Sequence, residues 1–162
     1  MFKSFESLSV GMRALRLVIL LGIILNIAFI FFQSSLSTEK ATEESDAVKD
    51  AISEVVPPDS EIENFTNNNM DKIAHFVEYG MLGFLVSSYI VLFAKNALKT
   101  AAFSLLFAET VAVFDETIQI FSGRHPDLKD VWCDILGFVV ISLLTYAAKH
   151  VLVRLAKGNK VK

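Results

Sequence analysis

Polar side chains recur at helical spacing inside an otherwise apolar stretch, "DKIAHFVEYGMLGFL", which covers residues 71–85. Asp71, His75 and Tyr79 follow one another at intervals of four, and Lys72 stands beside the first of them. Side chains at this spacing share one face of an α-helix. An imidazole close to carboxylates on such a face can transfer protons or bind a divalent metal ion.

A second charged stretch, "DETIQIFSGRHPDLKDVWCD", covers residues 115–134 and lies between two apolar runs. Glu116 and Gln119 share one helical side at the end of the first run, with Asp115 adjacent, and Asp130 and Asp134 share a face at the start of the next. Within a bilayer, a carboxylate costs roughly 2.5 kcal/mol or more unless it is paired, protonated or hydrated. Several carboxylates at the edges of two apolar runs therefore indicate a functional site.

The segment "SGRHPD" inside this stretch predicts the end of one helix and the start of another. Gly123 suits the position after a helix end, and Pro126 suits the first turn of the following helix. Arg124 would then lie at the mouth of the bundle, where its planar guanidinium suits a phosphate or a carboxylate.

Composition predicts the elements that position these residues. Of the 162 residues, 53% are hydrophobic and the mean hydropathy is +0.50, which is too apolar for a soluble domain of this size. A bilayer is crossed by about 20 apolar residues. We therefore predict an all-α membrane protein of one domain, 1–162, with a bundle of four transmembrane helices over about 17–38, 73–94, 100–122 and 131–148. The single cysteine, Cys133, excludes an internal disulfide.

Basic residues are concentrated on one side of these spans. Ten of the fifteen lie before the first span, between the second and third, or in a basic tail over 149–162. The ten are Lys3, Arg13, Arg16, Lys95, Lys99, Lys149, Arg154, Lys157, Lys160 and Lys162. The positive-inside rule then predicts that both termini are cytoplasmic and that the acidic loop 39–69 is outside. We expect the tail to attract anionic lipid and not nucleic acid.

Two further helices are predicted outside the spans. Apolar residues at near-helical spacing in 1–16 indicate a short N-terminal interfacial helix. Val48, Ile52 and Val55 share a helical face that ends before Pro57, which predicts an outer surface helix. The asparagines at 67–69 offer an N-cap for the second span.

With this topology, the polar faces of three spans reach the same level in the outer half of the membrane. We expect Glu116 to meet His75 or Arg124 there. Tyr79 and Trp132 are typical of aromatic residues that anchor a span at the interface. A structural interpretation, in which buried polar residues hold the helices together, competes with the functional one.

The two charged stretches resemble the VanZ-like family of bacterial integral membrane proteins. The resemblance covers roughly 27–148, and "HPDLK" departs from the family at the turn before the last helix. The family's D-K-x-x-H-x-x-x-Y, D-E-x-x-Q, G-R and D-x-x-x-[DN]-x-x-G patterns fall on Asp71, Lys72, His75 and Tyr79; Asp115, Glu116 and Gln119; Gly123 and Arg124; Asp130, Asp134 and Gly137. The resemblance implies a multi-pass protein of the bacterial cytoplasmic membrane, related to one associated with reduced susceptibility to teicoplanin-type antibiotics.

Three hypotheses of function follow. In the first, Arg124, Lys72 and His75 bind a membrane lipid, a lipid-linked cell-wall precursor or a lipoglycopeptide, while Asp130 and Asp134 orient these bases. No cofactor is needed, no nucleic acid is expected as a partner, and a homodimer is compatible with this role.

The second hypothesis is an enzyme that acts on lipid headgroups or polyprenyl phosphates. His75 and Glu116 would be base and acid, or a divalent metal ion would be held by Asp71, His75, Glu116 and Asp130. The sequence has no nucleophile elbow, HExxH or glycine-rich phosphate loop. The third hypothesis is a transporter or scramblase that uses Glu109 and Glu116 as a proton path.

Overall fold

The structure, a computed structural model, describes Phe2 and residues 4–158. These residues form five helices and, apart from an isolated bridge between Phe2 and Ala94, no β-structure. Four of the helices are long and apolar enough to cross a membrane, which confirms the all-helical class. The helices are α1 (Val10–Ser34), α2 (Thr38–Ser53), α3 (Glu61–Phe93), α4 (Ala97–Phe121) and α5 (Leu128–Gly158).

The central pair of helices is α3 and α5, which pack together more extensively than any other pair. Two glycines make this approach possible. A Cβ atom on Gly83 would overlap the backbone of Phe138, and one on Gly137 would overlap the backbone of Phe76. Small residues at helix contacts let two backbones come close in a membrane, where packing replaces the hydrophobic drive for association. The glycines therefore set the distance between α3 and α5.

Both ends of the described chain lie at one end of the bundle. There the Arg16 Nε donates to the Tyr89 hydroxyl at 2.8 Å, and Phe2 bridges to Ala94 after the end of α3. The end of α1, the start of α5 and the polar residues between them lie at the opposite end. The side of the membrane that each end faces stays a prediction, and Lys3, Lys160 and Lys162 lie outside the described residues.

The second span begins earlier than the sequence analysis predicts. Ser60 caps α3 by accepting a hydrogen bond from the Glu63 N–H at 3.1 Å, and the Glu63 carboxylate accepts one from the Asp59 N–H at 2.6 Å. This pair resembles a capping box, which fixes a helix start. The N-cap predicted at 67–69 coincides with a kink inside α3, because Asn69 has non-helical φ and ψ of −130° and 20°, but the Asn69 side chain donates to the Phe65 carbonyl at 2.8 Å.

The predicted helix over 1–16 is also wrong in its position. The described residues before Val10 form turns and bends, and α1 begins only there. Arg13 stabilises these turns, since its guanidinium donates to the carbonyl oxygens of Leu8 at 2.9 Å and Glu6 at 2.7 Å. In the acidic loop a helix does form, α2, and its place on the outer membrane surface stays a prediction.

Candidate functional site

A histidine and an aspartate from the central helix pair form the innermost contact of the site. His75 of α3 and Asp134 of α5 are both buried, with exposed fractions of 7% and 0%. The His75 Nδ1 lies 2.9 Å from the Asp134 Oδ1 and 3.7 Å from the Asp115 Oδ2 of α4. One imidazole is thus shared between carboxylates of two other helices.

Asp115 also joins α1 to the site. Its Oδ1 accepts a hydrogen bond from the Ser34 hydroxyl at the end of α1, and its Oδ2 accepts one from the Tyr79 hydroxyl at 3.3 Å. The Tyr79 side chain is fully buried. The interpretation of Tyr79 as an interface anchor is therefore wrong, because its ring packs in the core and its hydroxyl serves the site. Trp132 is 66% exposed.

Glu116 connects the site to the turn between α4 and α5. Its carboxylate accepts hydrogen bonds from the Gln119 side chain at 3.3 Å and from the Asp127 backbone N–H at 3.0 Å. One ligand atom of Glu116 also lies within 4.8 Å of ligand atoms of His75 and Asp134. Glu116 thus approaches His75, as expected, but its hydrogen bonds go to α4 itself and to the turn.

The turn between α4 and α5 has Gly123 in the predicted position, directly after the end of a helix. Gly123 has φ +79°, a left-handed conformation that favours glycine after a helix end, and the Arg124 N–H donates to the Gln119 carbonyl at 3.0 Å. Pro126 precedes α5, which begins at Leu128, so its predicted place in the first helical turn is wrong. Asp127 supplies the local cap by accepting from the Lys129 N–H at 2.9 Å.

The remaining predicted residues form the rim. The Lys72 Nζ lies 3.9 Å from the Asp130 Oδ1, a distance too long for a hydrogen bond. Asp71 is exposed, Arg124 is half-buried, and both line the cavity described next. Glu109, one of the two acids of the transport hypothesis, lies two turns away along α4 and does not line this cavity.

A cavity of about 390 Å³ opens beside these groups, between α1, α2 and α3. Its polar part is formed by His75, Asp115, Gln119 and Arg124, together with acids of α2 and α3. Its apolar wall is formed by Phe29, Leu36, Ala41, Val48, Met70, Ile73, Ala74 and Val77. A volume of this size and a mainly apolar lining with a few converging polar groups are typical of small-molecule sites.

Acidic side chains outnumber basic ones in the buried part of the site. Four carboxylates are buried among the described residues, on Asp115, Glu116, Asp130 and Asp134, and His75 is the only buried basic side chain there. Two buried carboxylate oxygens, Asp130 Oδ1 and Asp134 Oδ2, have no hydrogen-bond partner in the described part of the chain. Buried carboxylates without partners are costly unless protonated or neutralised by a cation.

Sequence reasoning missed some residues of the site. Ser34, which bonds to Asp115, is not among the predicted site residues, although it lies in "FFQSSLS", a stretch that resembles the aromatic-Ser-Ser segment of the VanZ-like family. Gln33 and Glu44 line the cavity and join α1 to α2 through a hydrogen bond of 2.9 Å. The spacing of the loop residues predicts a surface helix across the outer ends of the spans, but it does not show which residues of α2 line the cavity.

Comparison with known proteins agrees with this architecture. The VanZ/LLP1 family model matches residues 17–150, which include α2 and all the residues of the candidate site. The chain belongs to the VanZ/LLP1 family. Its four long apolar helices and its membership of the VanZ/LLP1 family indicate a multi-pass membrane protein. Comparisons with curated proteins and with solved structures gave no match.

Proposed function

We propose that the cavity between α1, α2 and α3 binds an amphipathic molecule with an anionic headgroup. The candidates are an anionic lipid, a lipid-linked cell-wall precursor and a lipoglycopeptide, and binding lowers susceptibility to teicoplanin-type antibiotics. The carrying observation is the division of the cavity into an apolar wall and a polar part that contains Arg124 and His75. A lipid likewise consists of an apolar chain and a polar headgroup.

Charge supports a particular orientation for the bound molecule. The buried carboxylates repel an anion from the innermost part of the site. Arg124 lines the cavity, and its guanidinium can hold two oxygens of a phosphate or a carboxylate at once. The headgroup therefore belongs at the Arg124 side, with the apolar chain along Phe29, Val48 and Val77.

The family relationship supports the link to antibiotics. The VanZ family is associated with teicoplanin resistance. Teicoplanin-type antibiotics carry a lipid tail and act on cell-wall precursors at the outer leaflet, and the predicted topology puts the cavity at that leaflet. A protein of the bacterial cytoplasmic membrane that captures the antibiotic or its lipid-linked target there would reduce its effect.

Susceptibility measurements test this function. Teicoplanin susceptibility is measured in a Gram-positive host that expresses wild type, Arg124→Gln or Lys129→Gln at equal membrane levels. Lys129 is the matched control, since it is an exposed base five positions away that does not line the cavity. We expect wild type and Lys129→Gln to lower susceptibility and Arg124→Gln to lose the effect. Equal susceptibility in all three strains and in the empty host would contradict the proposal.

A membrane enzyme that acts on lipid headgroups is the second candidate, and one contact favours it. The 2.9 Å contact between the His75 Nδ1 and the Asp134 Oδ1 is the arrangement in which a carboxylate orients an imidazole for proton transfer. Incubation of the purified protein with phospholipids and polyprenyl phosphates, followed by mass analysis, tests it. Unchanged substrate masses would exclude this activity for those substrates.

A further inference from the structure

We propose that His75, Glu116 and Asp134 form a binding site for a divalent transition-metal ion such as Mn²⁺ or Zn²⁺. The three residues come from α3, α4 and α5, and each is at least nine-tenths buried. One ligand atom from each lies within 4.8 Å of the other two. The site shares His75 with the cavity lining, but its other two ligands do not include Arg124, and metal binding does not require the proposed function.

The distances within the cluster fit a common ion. A metal ion holds nitrogen and oxygen ligands at roughly 2.0–2.2 Å, so two adjacent ligands are about 3–3.5 Å apart. The His75 Nδ1 and the Asp134 Oδ1 are 2.9 Å apart, close to this range. The contact is a hydrogen bond when the ring nitrogen carries a proton, and the same two atoms become neighbouring ligands once that proton leaves.

An unsatisfied oxygen gives the second, independent indication of a ligand. The Asp134 side chain is fully buried, yet its Oδ2 has no hydrogen-bond partner among the described residues. Buried polar atoms of native proteins are satisfied in the large majority of cases, so an exception needs a physical cause. A bound cation satisfies a carboxylate oxygen that no donor of the chain reaches.

The excess of buried acidic side chains also favours a bound cation. Asp115, Glu116, Asp130 and Asp134 bring four buried carboxylates together, and Lys72 approaches only Asp130, at 3.9 Å. An ion of charge +2 would offset much of this excess. Mixed ligation by one imidazole and two carboxylates suits Mn²⁺ or Zn²⁺ better than Ca²⁺, which prefers oxygen ligands alone.

Outer residues would orient the ligands. The Gln119 side chain and the Asp127 N–H donate to the two oxygens of Glu116, and Tyr79 and Ser34 donate to Asp115 beside the imidazole. Such contacts fix the direction of metal ligands, and their loss typically costs about 10–100-fold in affinity. Of the proposed ligands, Glu116 is therefore already held by two donors, and Asp115 is held beside His75.

A metal titration without lipid tests the proposal. Detergent-purified protein is treated with EDTA, dialysed and titrated with MnCl₂ while free Mn²⁺ is followed by electron paramagnetic resonance; ZnCl₂ is then used to displace it. Glu116→Gln is compared with Glu109→Gln, the same substitution two turns earlier on α4. We expect one ion per chain in wild type and in Glu109→Gln, and at least tenfold weaker binding in Glu116→Gln.

The overturning results are defined for wild type as well as for the variants. Wild type that takes up neither Mn²⁺ nor Zn²⁺ at one ion per chain would overturn the proposal, even if Glu116→Gln failed to fold. Equal affinity of folded Glu116→Gln and wild type would overturn it too, since the ions would then lie on acids elsewhere. Because no lipid is present, these results are separate from any failure of headgroup binding.

Discussion

His75 and Asp134 are 59 positions apart in the sequence, yet the His75 Nδ1 lies 2.9 Å from the Asp134 Oδ1 at the buried contact of α3 with α5. This pair connects the fold to the candidate site, because the glycines that bring the two helices together also bring these side chains within reach. Breaking either the pair or the helix contact should therefore affect both stability and binding.

Replacement of Asp134 by alanine should destabilise the protein by about 3–5 kcal/mol, because it leaves the buried His75 without its nearest carboxylate. Thermal unfolding in detergent, followed by a fluorescence or size-exclusion readout, measures the effect. Glu43→Ala, an exposed acid of α2, is the control and should change stability by less than about 0.5 kcal/mol. Similar loss for both variants would show that the pair has no special role.

Gly83→Ala should weaken the contact of α3 with α5. The added Cβ would overlap the Phe138 backbone, which cannot rotate away, so the helices must separate. Overpacking of this kind costs about 1–3 kcal/mol. Gly11→Ala is the matched control, since nothing lies within 4 Å of a Cβ there and alanine favours the helix. The midpoint of thermal unfolding should fall for Gly83→Ala alone, and an unchanged midpoint would contradict the packing described.

Ser34→Ala should destabilise the protein by about 1–3 kcal/mol, because it removes the hydroxyl that donates to buried Asp115. The neighbouring Ser35 provides the comparison, since it is exposed and its hydroxyl donates only to the Phe31 carbonyl in its own helix. Parallel unfolding measurements should show a clear loss for Ser34→Ala and little change for Ser35→Ala. Equal behaviour would remove α1 from the site.

The sequence predicts the helical class well, because long apolar runs have few alternatives in a bilayer. The polar faces of α3, α4 and α5 could also be predicted from helical spacing. This spacing puts Asp130 and Asp134 on one face of α5, and it puts His75 and Tyr79 on one face of α3. The residues at which helices begin are less well defined by the sequence. The start of α3 depends on Ser60 and Glu63, whose capping contacts compete with the asparagines at 67–69, and only three-dimensional contacts decide between them.

Contacts between distant segments could not be predicted. The end of α1 reaches Asp115 through the Ser34 hydroxyl, and α2 covers the cavity with Ala41 and Val48. An amphipathic pattern shows that a loop helix has an apolar face, but it does not show which surface that face covers. The burial of Tyr79 could not be predicted either, because aromatic residues occur both at membrane interfaces and in cores.

The most direct test of the central claim fills the cavity without changing any charge. Val48→Trp puts a large ring into the wall beside α3, while Val55→Trp, 84% exposed and outside the cavity, is the matched control. Native mass spectrometry of the purified proteins with anionic lipid and with a polyprenyl-linked precursor gives the bound fraction. We predict retention by wild type and by Val55→Trp and at least a tenfold loss in Val48→Trp. Equal retention by all three, or by none, would contradict a ligand in this cavity.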